Sequence, residues 1–134
     1  MNVLVADDDE AIRALVTHLF ARRGDRVQGV ADGEAAIARL DAETFDLLIL
    51  DLMMPRTDGM GVLAHLAARP VPSPRIIVMT AAIPSLAAMV PRAQVVAVVT
   101  KPFEIATMLR LADDAVRGNH ASGSSAAAPP AGRS

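Results

Sequence analysis

The most constraining feature of this sequence is a short apolar run that ends at a carboxylate. Residues 45–51 contain an unbroken series of leucine and isoleucine that stops at Asp51. A run of this kind is typical of a strand that is buried on both faces of a parallel sheet. Pro55 and the pair Asp58-Gly59 follow closely and predict a tight turn. The segment therefore predicts a central strand with an acidic residue at its exit.

Similar runs recur along the chain and alternate with stretches of helical periodicity. Strands are predicted over residues 2–6, 26–30, 45–51, 75–79 and 94–99, with 26–30 the weakest and nearest to an edge. Apolar residues at helical spacing predict helices around Ile12 to Phe20, Ala36 to Leu40, Val62 to Leu66 and Ile105 to Val116. A short helix is expected between residues 81 and 94, where two prolines stand. Five strand–helix units predict an α/β fold, a doubly wound parallel sheet with helices on both faces.

Length and composition restrict the classes of protein that need to be considered. The 134 residues fit one domain, predicted over 1–117, and residues 118–134 have the Ser, Ala, Gly and Pro content of a disordered tail or linker. The absence of cysteine excludes disulfides, thiolate metal sites and cysteine nucleophiles. A net charge of −2 offers no bulk attraction to nucleic acid or to a membrane surface. With no leader or spanning segment in the sequence, a soluble, cytoplasmic protein is expected.

Polar residues follow four of the predicted strands. They are Asp7, Asp8 and Asp9 after the first strand, Asp51 after the third, Thr80 after the fourth and Lys101 after the fifth. Because the carboxyl ends of parallel strands lie at one edge of the sheet, these side chains are expected to converge in a single crevice. Lys101 is also the only lysine among 13 basic residues, which indicates that an ammonium group is needed there.

The chemistry of this set points to phosphoryl transfer. Two carboxylates about 5 Å apart repel by roughly 3 kcal/mol at an effective dielectric constant near 20, so the acidic cluster calls for a cation. Carboxylate oxygens suit Mg²⁺ or Mn²⁺. A divalent ion, the Lys101 ammonium and the Thr80 hydroxyl around Asp51 would form a site for a phosphoryl group, with Asp51 as nucleophile.

Each member of the set also has a plain structural interpretation. Asp9 is expected to cap the first helix, and Asp51 alone is as well explained by capping the next loop or helix. The Thr80 hydroxyl could form a hydrogen bond with the backbone at the strand end. Lys101 and Pro102 could simply form a turn, with Lys101 paired to any nearby acid. The joint occurrence of the set at four strand ends is what these separate interpretations explain poorly.

Taken together, these motifs make the chain similar to a known family. The matching segments, in order, are residues 3–8, Arg13, residues 50–55 with Asp58-Gly59, residues 79–81 and residues 101–103. Over residues 2–117 the chain resembles the receiver domain of bacterial two-component response regulators, of the stand-alone, chemotaxis-regulator-like kind. The resemblance implies a flavodoxin-like fold with strand order 2-1-3-4-5. It also implies phosphoryl transfer from a histidine kinase or phosphotransfer protein, switching the binding of a downstream protein partner in a phosphorelay.

The resemblance assigns a role to each site residue. Asp51 is implied as the phosphoacceptor, and Asp8, Asp51 and the backbone carbonyl of Met53 as Mg²⁺ ligands, with Asp7 acting through water. Thr80 is implied as the switch hydroxyl, with Ala81 beside it at the phosphoryl site. Lys101 is implied as the ammonium that binds the phosphoryl group, with a cis peptide bond to Pro102. The chain is then a phosphoacceptor that assists its own phosphorylation and slow dephosphorylation rather than an enzyme.

The chain departs from the family pattern at positions that affect how phosphorylation would be signalled to a partner. The position three residues before Lys101, often aromatic in the family, is Val98, and the chain has no Trp or Tyr. Residues 81–94 lack the usual Gly-Ala before the fifth strand.

Met53 and Ala82 put apolar side chains beside the expected phosphoryl group, so slow hydrolysis of the acyl phosphate is predicted. A lifetime of seconds would contradict that prediction.

Alternative functions remain open at this point. One alternative is a phosphorylation-independent receiver that acts as a protein-interaction module. The complete set of acids, threonine and lysine argues against this module, whereas Val98 and the unusual region 81–94 keep it open. A haloacid dehalogenase-type phosphatase also uses an aspartate nucleophile, but it needs a second acid where this chain has Met53. Without an effector motif after Val116, a stand-alone receiver without direct nucleic-acid binding is expected, and excision from a larger regulator is the alternative. The sequence does not identify the kinase, the output partner or the oligomeric state.

Overall fold

The computed structural model describes residues 1–69, 71–81 and 95–117. Strands and helices alternate along these residues. The elements are β1 (Asn2–Ala6), α1 (Glu10–Arg22), β2 (Arg26–Val30), α2 (Gly33–Ala42), β3 (Leu47–Asp51), α3 (Gly59–Ala68), β4 (Arg75–Ala81), β5 (Val95–Lys101) and α4 (Ile105–Arg117). Residues 82–94 and 118–134, where a short helix and a tail were predicted, lie outside the described residues.

The five strands form one parallel sheet, and the predicted fold class and strand order are confirmed. The order across the sheet is β2-β1-β3-β4-β5. β3 lies at the centre and all five of its residues are buried, which explains its unbroken apolar sequence. β2 lies at an edge and is only partly buried, in keeping with its weaker pattern.

Helices cover both faces of the sheet. On one face α2 and α3 pack over a cluster that includes Leu4, Leu48, Leu50, Ile76 and Val78 from the strands. On the other face α1 and α4 pack over a cluster that includes Val3, Val5, Ile49, Ile77 and Met79. Alternate strand residues therefore feed two separate cores, as a doubly wound sheet requires. Within the described ranges, no helix is both long and apolar enough to cross a membrane.

The last two strands extend further than the sequence predicted. β4 continues to Ala81 and β5 to Lys101, and these two residues face each other in the register of the parallel pair. Thr80 lies opposite Thr100 in the same ladder. Thr80 and Lys101 are thus paired strand residues instead of loop residues, because the ladder between β4 and β5 continues to their level. Regular backbone pairing limits how far either residue can shift.

Aspartates begin three of the helices. Asp9 caps α1 by accepting the amides of Ala11 and Ile12, as predicted for that residue. Asp32 and Asp58 cap α2 and α3 in the same way. Gly24 follows α1 with φ of +94°, a conformation that glycine adopts without steric cost.

Candidate functional site

Three carboxylates converge at the carboxyl edge of the sheet. Asp7 and Asp8 follow β1, and Asp51 ends β3. One oxygen from each lies within 4.8 Å of the others. Asp7 and Asp51 are buried, whereas Asp8 is exposed. The neighbouring strands β1 and β3 thus bring Asp51 next to Asp7 and Asp8, from which it is distant in the sequence.

Hydrogen bonds hold the backbone and one carboxylate oxygen of Asp7. Its amide donates to the Val30 carbonyl at 3.1 Å, and its Oδ1 accepts the Asp9 amide at 2.8 Å. The Arg13 guanidinium donates to the Asp7 carbonyl at 2.9 Å. The side chain is therefore fixed in orientation although it lies just beyond the end of β1.

Lys101 supplies the positive charge of the site. Its Nζ lies 2.7 Å from Oδ2 of Asp7 and 3.3 Å from Oδ2 of Asp51. The shorter contact is an ion pair without hydrogen-bond alignment, since Asp7 Oδ2 has no aligned donor among the described residues. Burial by itself lowers the pKa of the Lys101 ammonium, but the contact with Asp7 and the charge of Asp51 outweigh it, and the net direction is upward. Lys101 is thus charged at neutral pH.

The Asp51 carboxyl is the most perturbed group of the site. Burial raises its pKa to about 6, and the Asp7 charge adds to the rise, while the Met53 amide and Lys101 oppose it. The Met53 amide donates to Asp51 Oδ1 at 3.1 Å. Asp51 therefore does cap the following loop, as the plain interpretation suggested, but its other oxygen faces Lys101. α3 is capped by Asp58 instead.

Thr80 brings a hydroxyl to the same edge. Its residue is 1% exposed, and Oγ1 has no hydrogen-bond partner within the described part of the chain. A buried hydroxyl without a partner is costly, so this side chain is explained poorly as a backbone-satisfied strand end. Ala81 ends β4 and is exposed beside Lys101 across the ladder.

The loop after Asp51 is docked on the start of α2. The amides of Gly33 and Glu34 donate to the carbonyls of Pro55 at 3.4 Å and Arg56 at 3.0 Å. Arg56 and Thr57 have φ of 50° and 76°, a left-handed backbone that non-glycine residues rarely adopt. A side chain at Gly33 would place its Cβ 1.7 Å from the Thr57 carbonyl oxygen. This contact was not predicted from the sequence, because Gly33 and Thr57 belong to separate local patterns.

Other residues singled out in the sequence lie around this centre. Met53 is 52% exposed next to Asp51, and the Lys101–Pro102 peptide bond is cis. Val98 pairs with Val78 and packs, partly buried, against the core on the α2–α3 face. Ala82 lies outside the described residues.

The donor set fits a small hard cation. Carboxylate oxygens from Asp7, Asp8 and Asp51 are the ligands that Mg²⁺ prefers, and Mg²⁺ commonly keeps several of its waters. The exposure of Asp8 leaves one side of the cluster open to solvent. Two buried acids served by one lysine also leave negative charge for a cation to offset.

Comparison with known proteins places the chain in a family. The model of the response regulator receiver domain matches residues 3–113. Transcriptional regulatory protein TcrA of Mycobacterium tuberculosis is 35% identical over 81 residues, 60% of this chain and 32% of TcrA. The alkaline phosphatase synthesis transcriptional regulatory protein PhoP of Bacillus subtilis is 37% identical over 80 residues, 60% of this chain and 33% of PhoP. The aligned part thus spans about a third of these relatives.

Solved structures show the same fold. The receiver domain of the Francisella response regulator 1452 superposes with a TM-score of 0.77 at 24% identity, covering 88% of this chain and 98% of that one. Response regulator TrrA from Thermotoga maritima, solved in complex with Mg²⁺-BeF, gives a TM-score of 0.75 at 24% identity, with 85% and 97% covered. The match to the family model over most of the chain shows that this protein belongs to the response regulator receiver domain family.

Proposed function

We propose that this chain accepts a phosphoryl group on Asp51 from the phosphohistidine of a histidine kinase or phosphotransfer protein. The observation that carries the proposal is the arrangement around Asp51: Lys101 Nζ at 3.3 Å, two further carboxylates within 4.8 Å and the buried Thr80 hydroxyl. Nucleophile, cation site, ammonium and hydroxyl are the components of a phosphoryl-transfer site. The Mg²⁺-BeF complex of TrrA, a relative in fold, is in keeping with this assignment.

The transfer needs no base to activate the nucleophile. A carboxylate oxygen of Asp51 attacks phosphorus, an O–P bond forms, and the P–N bond to the histidine breaks. The electron pair stays on the imidazole, which takes up a proton from solvent. With a pKa of about 6, Asp51 is ionised at neutral pH and ready to attack.

The other side chains act on the charge of the phosphoryl group. Asp8, Asp51 and the Met53 carbonyl would hold Mg²⁺, with Asp7 acting through water, and the bound ion would offset negative charge on the carboxylates and the phosphoryl group. Lys101 is placed to donate to one phosphoryl oxygen. Thr80 has a free hydroxyl hydrogen to donate to another, since its Oγ1 has no partner within the described part of the chain.

The test is incubation with Mg²⁺ and acetyl phosphate, read by intact mass. The wild-type chain should gain one hydroxylamine-labile phosphoryl group, and Asp51→Asn should gain none. Omission of Mg²⁺ should abolish the gain in the wild type. An unmodified wild-type mass would support the second candidate, a phosphorylation-independent interaction module, which Val98 in place of an aromatic residue favours.

The biological setting follows from the same proposal. A phosphorylated Asp51 would switch the binding of a downstream protein in a two-component pathway located in the cytoplasm. The named curated relatives are transcriptional regulators about three times as long as the matched part. For the receiver itself we propose protein partners, because its net charge of −2 provides no overall attraction to nucleic acid.

A further inference from the structure

We propose that Arg13 is a positioning residue for the cation-binding turn at Asp7 and Asp8. This inference rests on the proposed function and deepens it by naming a residue outside the acidic cluster. Arg13 lies one turn into α1, and its Nη1 donates to the Asp7 carbonyl at 2.9 Å. It therefore holds the backbone that carries two of the three carboxylates.

The Asp7 carbonyl needs such a donor because the sheet cannot supply one. β1 ends at Ala6 and β2 at Val30, so the parallel ladder stops one residue before Asp7. Asp7 itself is buried. A buried carbonyl beyond the end of a ladder must find another partner, and Arg13 supplies it.

The stem of Arg13 is located by a glycine on the neighbouring edge strand. A Cβ added at Gly29 would lie 3.2 Å from Arg13 Cγ, 3.3 Å from Arg13 Cδ and 3.2 Å from Thr17 Cγ2. The methylene groups thus cross β2 where a side chain is missing. Gly29 gives the arginine a direct path from α1 to the end of β1.

Arg13 is expected to have two opposing effects on the affinity of the site for Mg²⁺. Its positive charge repels Mg²⁺, so removal of charge alone should tighten binding. Its hydrogen bond fixes the turn that presents Asp7 and Asp8, so loss of position should weaken binding. Residues that orient metal ligands in this indirect way commonly contribute 10- to 100-fold in affinity, so we expect the loss of position to dominate.

The experiment measures Mg²⁺ affinity by isothermal titration on the full chain without a phosphodonor. We expect Arg13→Met to weaken Mg²⁺ binding about tenfold and Arg13→Lys to remain within about threefold of wild type. Gly29→Ala keeps the arginine but displaces its stem, and should fall between them. Arg22→Met removes the same charge from an exposed position on the same helix and should leave affinity unchanged. Unchanged or tighter binding in Arg13→Met would overturn the proposal.

A second measurement does not depend on metal. In EDTA, Arg13→Met should speed hydrogen exchange of the Asp7 and Asp9 amides roughly five- to tenfold, because both depend on the fixed turn. Unchanged exchange at both amides would contradict the positioning role even if Mg²⁺ binding fell. Failure of the wild type to bind Mg²⁺ or accept a phosphoryl group would instead count against the proposed function, and exchange would still decide the role of Arg13.

Discussion

Lys101 Nζ lies closer to Asp7 than to Asp51, at 2.7 Å against 3.3 Å. The ammonium therefore lies between two buried acids and does not interact with Asp51 alone. Because Asp7 is 0% exposed, the removal of the Lys101 charge would leave a buried carboxylate without its counter-ion. The same contact is thus expected to stabilise the fold and to position Lys101 for the proposed phosphoryl site.

We expect Lys101→Met to lower both stability and phosphorylation. Loss of the ammonium leaves two buried carboxylates to repel each other, and should destabilise the metal-free fold by about 2 to 4 kcal/mol. Phosphorylation by acetyl phosphate should slow at least about a hundredfold. Lys101→Arg should recover part of the stability but little of the rate, since a planar guanidinium cannot replace a compact ammonium at this site. Full activity of Lys101→Arg would show that charge alone suffices.

Asp51→Asn should stabilise the metal-free protein at neutral pH. Because the pKa of Asp51 rises to about 6 on folding, the folded state favours the protonated carboxyl, and stability is lost as the pH rises from about 4 to 6. Above pH 6 the wild type should be less stable than Asp51→Asn by roughly 1 to 2 kcal/mol, and the gap should close near pH 4.

Denaturant unfolding in EDTA across this pH range measures that gap. Asp46→Asn, a change of the same kind outside the site, serves as the control. Mg²⁺ should raise the stability of the wild type more than that of Asp51→Asn, because Asp51 is a proposed ligand. A constant gap from pH 4 to 8 would contradict the raised pKa.

Thr80→Val should separate stability from function. The buried hydroxyl has no partner within the described part of the chain, so its replacement by a methyl group should change unfolding free energy by less than about 1 kcal/mol. Phosphorylation should still occur on Asp51, but the amide chemical shifts of β4 and β5 should respond less to it than in the wild type. A large loss of stability in Thr80→Val would show that the hydroxyl is already engaged.

Gly33→Ala should disrupt the docking of the loop that follows Asp51. The added Cβ would meet the Thr57 carbonyl oxygen at 1.7 Å, so α2 and the loop must separate. We expect a loss of about 2 to 4 kcal/mol in unfolding free energy, measured in denaturant. Glu34→Ala, at the exposed neighbouring position, keeps the backbone contact and should stay within about 0.5 kcal/mol of wild type. Equal stability of the two variants would refute this role for Gly33.

The acyl phosphate on Asp51 should be long-lived. Met53 is 52% exposed beside Asp51 and carries no group that orients a water molecule for attack. Met53→Asn supplies an amide there, and we expect it to shorten the lifetime about tenfold or more. Decay of the phosphorylated mass after removal of acetyl phosphate gives both rates. A wild-type lifetime of seconds, or no change in Met53→Asn, would contradict the prediction.

The elements of the site were recognisable from sequence because each is a local pattern. The run before Asp51, the three acids before α1 and the single lysine each stand out without a structure. Parallel topology then predicts that they meet, because all strand ends lie at one edge. The role of Gly33 was not recognisable, since its partner Thr57 is 24 positions away and a glycine before a helix looks like an ordinary turn.

By itself the sequence determined the alternation of strands and helices, the fold class and which residues are candidates for the proposed chemistry, because periodicity and residue type act over a few positions. Only the tertiary structure decided how those residues are used. Register placed Lys101 against Asp7, and packing directed Arg13 across Gly29 to the Asp7 carbonyl. Such pairings depend on contacts between distant segments, which no local pattern encodes.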